Sequence, residues 1–177
     1  MLTVDQRNSM LVVVDLQTRL MPSIDGAASV VANASRLTAA AKLLGVPALF
    51  TEQNPRGLGP TVAELAPDRS IVVEKMTFDC CRSPEFLLRI PADCAAVVAG
   101  CEAHVCVLQT ALGLVERGRR VFVVGDAIGS RRAESKEAAI ARLAQHGVDI
   151  VTAEMVVFEW LGTAEHPRFR EAAALIK

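Results

Sequence analysis

Three side chains of complementary chemistry stand at the carboxyl ends of apolar runs. The carboxylate of Asp15 follows Met10-Leu-Val-Val-Val14, and the ammonium of Lys75 closes Ser70-Ile-Val-Val-Glu-Lys75. The thiol of Cys106 lies in the first turn of the helix that follows Ala95-Ala-Val-Val-Ala-Gly100. If these runs are strands of an open α/β sheet, their carboxyl ends share the edge where such folds keep their crevice. A base, a cation and a nucleophile meeting there have the chemistry of acyl transfer through a covalent thioester.

Each residue also has a plainer reading. Asp15 interrupts an apolar run, where a charge is costly unless it is paired or caps the next turn. Lys75 alone reads as a solvated or snorkelling lysine, and only its place beside the other two lifts it. Cys106 is separable by helical geometry. At about 100° per residue, Leu108, Ala111, Leu112, Leu114 and Val115 form one apolar arc. Cys106 falls on the opposite arc with Gln109, Thr110, Gly113 and Arg117, whereas a thiol that only fills core belongs on the apolar side. A helix N-terminus also favours the thiolate. Cys94 and Cys101 flank a buried strand and read as inert core residues. His104 reads as a cap, His146 as a helix C-terminal residue, His166-Pro167 as a turn, and Arg131-Arg132 as a solvated helix entry. Adjacent Cys80-Cys81 do not have the spacing of a zinc knuckle, and no metal site is expected.

The elements that must position these groups alternate. Expected strands are Met10–Asp15, Pro47–Thr51, Ser70–Lys75, Ala95–Gly100, Arg120–Val124 and Asp149–Val151. Expected helices are Ala28–Leu44, Val105–Arg117, Glu134–Gln145, Ala153–Leu161 and Arg168–Ile176, with Gly45, Gly118 and Gly147 as stops. This is the pattern of a parallel sheet covered on both faces, in one domain spanning 1–177. The segment Gln53-Asn54-Pro55-Arg56-Gly57-Leu58-Gly59-Pro60 reads as a surface loop; it lacks the Gly-Lys-Ser/Thr of a phosphate cradle.

Composition narrows the classes. The 177 residues are 51% hydrophobic and 22% charged, which excludes disorder. Lys and Arg number 19 against 20 Asp and Glu, so there is no electrostatic footprint for nucleic acid or an anionic membrane. No apolar stretch approaches the roughly 18 residues of a membrane span, and the N-terminus has no signal-peptide pattern. Five cysteines without an export signal suit reduced thiols and a cytoplasmic protein.

Val13-Val-Asp15-Leu-Gln, Val73-Glu-Lys75-Met-Thr-Phe and Gly100-Cys-Glu-Ala-His-Val-Cys106-Val-Leu-Gln-Thr-Ala together resemble the signature of the isochorismatase-like cysteine hydrolases. The likeness runs from about Ser9 to the end and is greatest to the small isochorismatase-domain proteins. These share stretches similar to Thr51-Glu-Gln-Asn-Pro-Arg-Gly-Leu-Gly-Pro-Thr and His166-Pro-Arg-Phe. The resemblance implies a three-layer α/β/α fold with a six-stranded parallel sheet, a homo-oligomer, and a catalytic triad of Asp15, Lys75 and Cys106. It also implies a cis peptide at Cys101–Glu102 and an oxyanion hole from the backbone N–H groups of Glu102 and Cys106.

Two departures shape the expected activity. Nicotinamidase-type relatives hold a metal through an Asp-x-His pair where this chain has Glu52-Gln53-Asn54. Authentic isochorismatases carry a small residue where this chain has Cys106. The expectation is therefore a metal-independent, cofactor-free hydrolase of a small amide or related carbonyl C–N bond, with Gln17, Gln53 and Phe78 in the substrate pocket. The rivals are an idle oligomeric interaction module of the same fold and a thiol redox sensor in which Cys101 resolves an oxidised Cys106. The segment Met155–Leu161 serves equally as subunit contact or core.

Overall fold

The computed structural model describes residues 2–176; Met1 and Lys177, the ends of the expected domain, lie outside the described residues. Six strands form one parallel sheet: β1 (Ser9–Val14), β2 (Ala48–Gln53), β3 (Val72–Lys75), β4 (Ala95–Cys101), β5 (Val121–Gly129) and β6 (Asp149–Val151), in the order β3-β2-β1-β4-β5-β6. The β1 run Ser-Met-Leu-Val-Val-Val is buried throughout, as expected of a central strand covered on both faces. Among the described residues seven α-helices accompany the sheet: α1 (Ala27–Leu44), α2 (Pro55–Leu58), α3 (Pro84–Arg89), α4 (Leu108–Glu116), α5 (Ala133–Gln145), α6 (Ala153–Leu161) and α7 (Phe169–Leu175).

Alternation along the strands divides the core into two. Leu11, Val13, Val97, Ala99, Cys101 and Phe122 pack against α1, α6 and α7. Val12, Val14, Val73, Ala96, Val98 and Val123 pack against α3, α4 and α5. The result is the expected three-layer α/β/α arrangement. Strand order reverses between β1 and β4, so the crevice opens at the carboxyl ends of those two strands. There Gly100 pairs with Val14 at φ +121°, and a Cβ on it would meet the Val14 carbonyl oxygen at 2.0 Å. Only glycine lets the two strands approach this closely.

Several boundaries differ from expectation for local reasons. Residues Arg69–Ile71 form a 3-10 turn before β3, because the Asp68 side chain accepts the Ser70 N–H at 2.8 Å. The expected loop at Gln53–Pro60 contains the single turn of α2, opened by Asn54 in the left-handed region and by Pro55 at a position where proline suits a helix. The short helix α3 was not anticipated and also opens on a proline, Pro84. Strand β5 does not stop near Gly125. A register shift interrupts its pairing with β4, which resumes at Gly100 with Ile128 and Cys101 with Gly129, and the strand runs on to Gly129. The expected helix Val105–Arg117 divides into a π-helical turn (Ala103–Val107) and α4, with the Val107 N–H donating to the Glu102 carbonyl at 3.2 Å.

Candidate active site

Asp15 is the first residue beyond β1. It turns out of the strand with φ +49° and is fully buried. Lys75 ends β3, two strands away, and its Nζ lies 2.7 Å from Asp15 Oδ2. Burial is the largest single influence on the Lys75 ammonium and works against it, but the Asp15 carboxylate together with the Cys80 and Cys106 sulfurs raises the group above its ordinary range. The plain reading of a solvated lysine is thereby overturned: the Lys75 side chain is 1% exposed. Its remaining donor capacity reaches the Thr77 carbonyl at 3.2 Å.

Cys106 lies in the π-helical turn after β4 and is buried. Burial and then the nearby Asp15 carboxylate push its thiol above the ordinary value, while Lys75 pulls the other way. Burial thus runs against the expectation that the helix N-terminus favours the thiolate. The shift favours the protonated sulfur, with the Asp15 carboxylate beside it able to take that proton. The helical-arc argument needs a second correction. The arc holding Thr110, Gly113 and Arg117 does not face solvent along its length, because the 3-10 turn Cys80–Arg82 packs on it. Thr110 Oγ1 accepts the Cys80 N–H at 3.0 Å, Arg117 donates to the Cys81 carbonyl at 3.4 Å, and Gly113 leaves room for the Asp79 carboxylate. The π turn also adds a residue to the helical repeat, so angles counted from Val105 drift out of phase with α4.

The Cys101–Glu102 peptide is cis. The Glu102 carboxylate reaches the end of β5, where its Oε2 accepts from Arg131 N–H at 3.2 Å and from Arg131 Nε at 3.0 Å. Arg131 is therefore not simply a solvated helix entry. The extension of β5 past its register shift brings it there. His104 Nδ1 is 2.9 Å from Ser130 Oγ, fastening the same turn to the residue after β5.

Of the residues expected to line a pocket, Gln17 is fully buried and its amide is committed within the protein. Its Nε2 donates to the Gly59 and Gln53 carbonyls at 2.6 and 3.1 Å, and its Oε1 accepts the Gln53 N–H at 2.9 Å. Gln17 pins the loop after β2. Gln53 is half-buried and its Nε2 donates to the Met76 carbonyl at 3.1 Å. Phe78 is exposed, as is Met76 beside it, in the segment following Lys75. A cavity of about 490 Å³, lined by Asn54, Pro55, Arg56, Glu74, Lys75 and Met76, opens at the ends of β2 and β3.

Two groups at the site escaped the sequence reading. Thr51 Oγ1 donates to Asp15 Oδ1 at 2.6 Å, and Cys80 Sγ lies 3.9 Å from Thr51 Oγ1. Burial pushes the Cys80 thiol up to about 12. Glu52, on the strand position next to Thr51, serves structure instead. Its Oε1 accepts Thr61 N–H and Oγ1, each at 2.8 Å, and Arg69 bonds both its oxygens. Among the described residues no group of three or more His, Cys, Asp or Glu side chains is arranged to hold a metal ion. Among the described residues no helix is long and apolar enough to cross a membrane.

A three-layer α/β/α protein with a buried Asp–Lys pair and a cysteine at its topological switch point is the class these features define. The sequence profile of the isochorismatase domain matches residues 9–155. Isochorismatase domain-containing protein 2 of Xenopus laevis is 38% identical over 174 residues, covering 97% of this chain and 84% of its own. The MAR1 ribonuclease of Caenorhabditis elegans superposes with a TM-score of 0.91 at 35% identity, over 98% of this chain and 92% of that one. The YcaC protein of Escherichia coli, described as an octameric hydrolase of unknown specificity, matches in fold with a TM-score of 0.88 at 24% identity, over 99% of this chain and 88% of that one. The chain belongs to the isochorismatase domain family. That membership supports hydrolysis as its class of function.

Proposed function

We propose that this protein, as one domain over residues 1–177, is a metal-independent cysteine hydrolase that cleaves a small amide or related carbonyl C–N bond. The observation that carries the reading is the buried meeting of Asp15, Lys75 and Cys106, drawn from three strand ends onto the switch point. A structural lysine–aspartate pair has no need of a cysteine beside it. The metal-free reading is supported by Glu52, whose carboxylate at the end of β2 is committed to Thr61 and Arg69.

The reaction runs in two halves. Asp15 takes the Cys106 proton as sulfur attacks the carbonyl carbon, and Lys75 holds the charge in the cluster. The carbonyl oxygen becomes an oxyanion held by the backbone N–H groups of Glu102 and Cys106. The C–N bond then breaks, Asp15 returns its proton to the leaving amine, and a thioester remains on Cys106. Water gives a proton to Asp15 and attacks the thioester carbonyl. The C–S bond breaks, the proton returns to sulfur, and the carboxylic acid leaves. One oxyanion donor contributes roughly a hundred- to a thousandfold in such chemistry. The protein works as a homo-oligomer in this reading, and exposed Met155 and Phe158 on α6 are the residues of the Met155–Leu161 segment that a second copy could cover.

The test is turnover of a panel of small amides and carbamoyl compounds by the purified protein, with a short RNA included because a relative is named a ribonuclease. Amide turnover that falls about a thousandfold or more in Cys106→Ala and in Asp15→Asn is the expected result. No amide turnover by wild type, or turnover that survives Cys106→Ala, would overturn it. RNA cleavage independent of Cys106 would put a different activity in its place.

A further inference from the structure

A carboxylate that must offer one oxygen to a thiol has to be held in plane, because its terminal torsion is broad and roughly two-fold. Lys75 fixes Oδ2 of Asp15 at 2.7 Å, but a single contact leaves the other oxygen free to swing. The second fixing point comes from β2. Thr51 lies beside Val14 in the parallel register, its carbonyl accepts the Asp15 N–H at 3.1 Å, and its hydroxyl donates to Oδ1 at 2.6 Å. One residue therefore clamps Asp15 at both backbone and side chain.

The Thr51 hydroxyl has one proton to give, and its surroundings direct it. Thr51 is buried, and Cys80 Sγ lies 3.9 Å from Oγ1 on a turn fastened by the Cys80 N–H to Thr110. The protonated Cys80 thiol donates to Thr51 Oγ1 and leaves the hydroxyl proton for Asp15. A buried hydroxyl in mid-sheet is costly without partners, and this one has two. Valine would suit the strand as well by shape, so the hydroxyl is the feature to explain.

We propose that Thr51 is a positioning residue of the reaction: its hydroxyl, aimed by the Cys80 thiol, holds the Asp15 carboxylate in the plane that presents it to Cys106. The inference rests on the cysteine-hydrolase reading and adds to it a residue on β2.

The experiment needs no substrate. Alkylation of each cysteine by iodoacetamide is followed by peptide mass spectrometry in the full-length wild type, Thr51→Val and Thr51→Ser. Valine keeps the shape and loses the hydroxyl, whereas serine keeps the hydroxyl and loses the methyl. Positioning predicts that Thr51→Val slows Cys106 about ten- to a hundredfold, the range for a hydrogen bond to a charged group, while Thr51→Ser stays within about twofold of wild type. Cys94 serves as the internal control and keeps its rate in all three. A packing role predicts the reverse order, with serine the worse variant, and that order or equal losses would overturn the proposal. Cys80→Ala is the independent check and slows Cys106 by roughly threefold, as for a neutral hydrogen bond; an unchanged rate there would remove the aiming thiol from the account. If wild-type Cys106 reacts no faster than Cys94, the hydrolase reading itself falls; if it does and Thr51→Val matches it, only the inference falls.

Discussion

Cys101 and Cys106 are five residues apart in the chain, yet they pack into cores on opposite faces of the sheet. Cys101 ends β4 on the α1 side, where its Sγ lies near the space beside Gly129 that Ile24 and Val30 also border. The chain then turns at Glu102, and Cys106 enters the core on the α4 side.

This separation argues against the redox-sensor reading in which Cys101 resolves an oxidised Cys106. A disulfide needs Cβ atoms roughly 3.5–4.5 Å apart with suitably directed vectors. Burial also pushes the Cys101 thiol up to about 12, and among the described residues no carboxylate bonds it to take its proton. Mild peroxide followed by non-reducing peptide mapping is expected to show no Cys101–Cys106 bridge. Its appearance in the folded protein would mean that the sheet edge opens far more than its packing suggests.

The Lys75–Asp15 pair gives a second expectation. Both side chains are sealed from solvent, so removing one partner strands the other's charge. Lys75→Met is expected to destabilise by about 3–5 kcal/mol, as for other broken buried pairs. The double variant Asp15→Asn/Lys75→Met is expected to lose less than the two single losses together. Lys75 is held above its ordinary value of 10.5, so its contribution is complete below that pH and is lost as pH rises through the higher folded value. Urea midpoints from pH 7 to 11 check both points. A Lys75→Met loss under about 1 kcal/mol would show that the pair is not load-sharing in the core.

How much of this could be read from the sequence follows from which contacts are local. Asp15, Lys75 and Cys106 stood out because each breaks or follows an apolar run, and in a parallel sheet the ends of such runs fall along one edge. Thr51 closes the expected strand Pro47–Thr51, but a β-branched residue there reads as part of the strand, and its bond to Asp15 depends on the β1–β2 register, a non-local quantity that strand patterning leaves open on a sheet buried on both faces. Cys80 comes to the site through a turn packed on α4, which no periodicity encodes. The π turn and the β5 register shift are likewise single-residue departures from regular repeats. They place Cys106 and Arg131, and they were invisible to arguments built on those repeats. Gln17 misled for the opposite reason: nearness to Asp15 in sequence put it beside the site, while its amide was committed to Gln53 and Gly59.

Gly100 supplies the last prediction, because it joins both halves of the site. It sits on β4 against Val14, one residue before Asp15 and six before Cys106, so any adjustment there moves base and nucleophile relative to each other. Its φ of +121° lies where a side chain is strained, and an added Cβ would lie 2.0 Å from the Val14 carbonyl oxygen. Neither strand can yield cheaply, since β1 and β4 are packed on both faces. Gly100→Ala is therefore expected to cost about 3 kcal/mol or more, combining backbone strain with a main-chain clash. Gly118→Ala is the control. It shares a positive φ, of +73°, but nothing lies within 4 Å of its added Cβ, so it carries strain without the clash. Thermal denaturation of both variants, with Cys106 alkylation measured on whatever folds, separates the two contributions. Gly100→Ala is expected to be the less stable and to slow Cys106, whereas Gly118→Ala keeps the wild-type rate. Equal losses in the two variants would mean that the β1–β4 contact is softer than its geometry implies and that the spacing of Asp15 from Cys106 is set elsewhere.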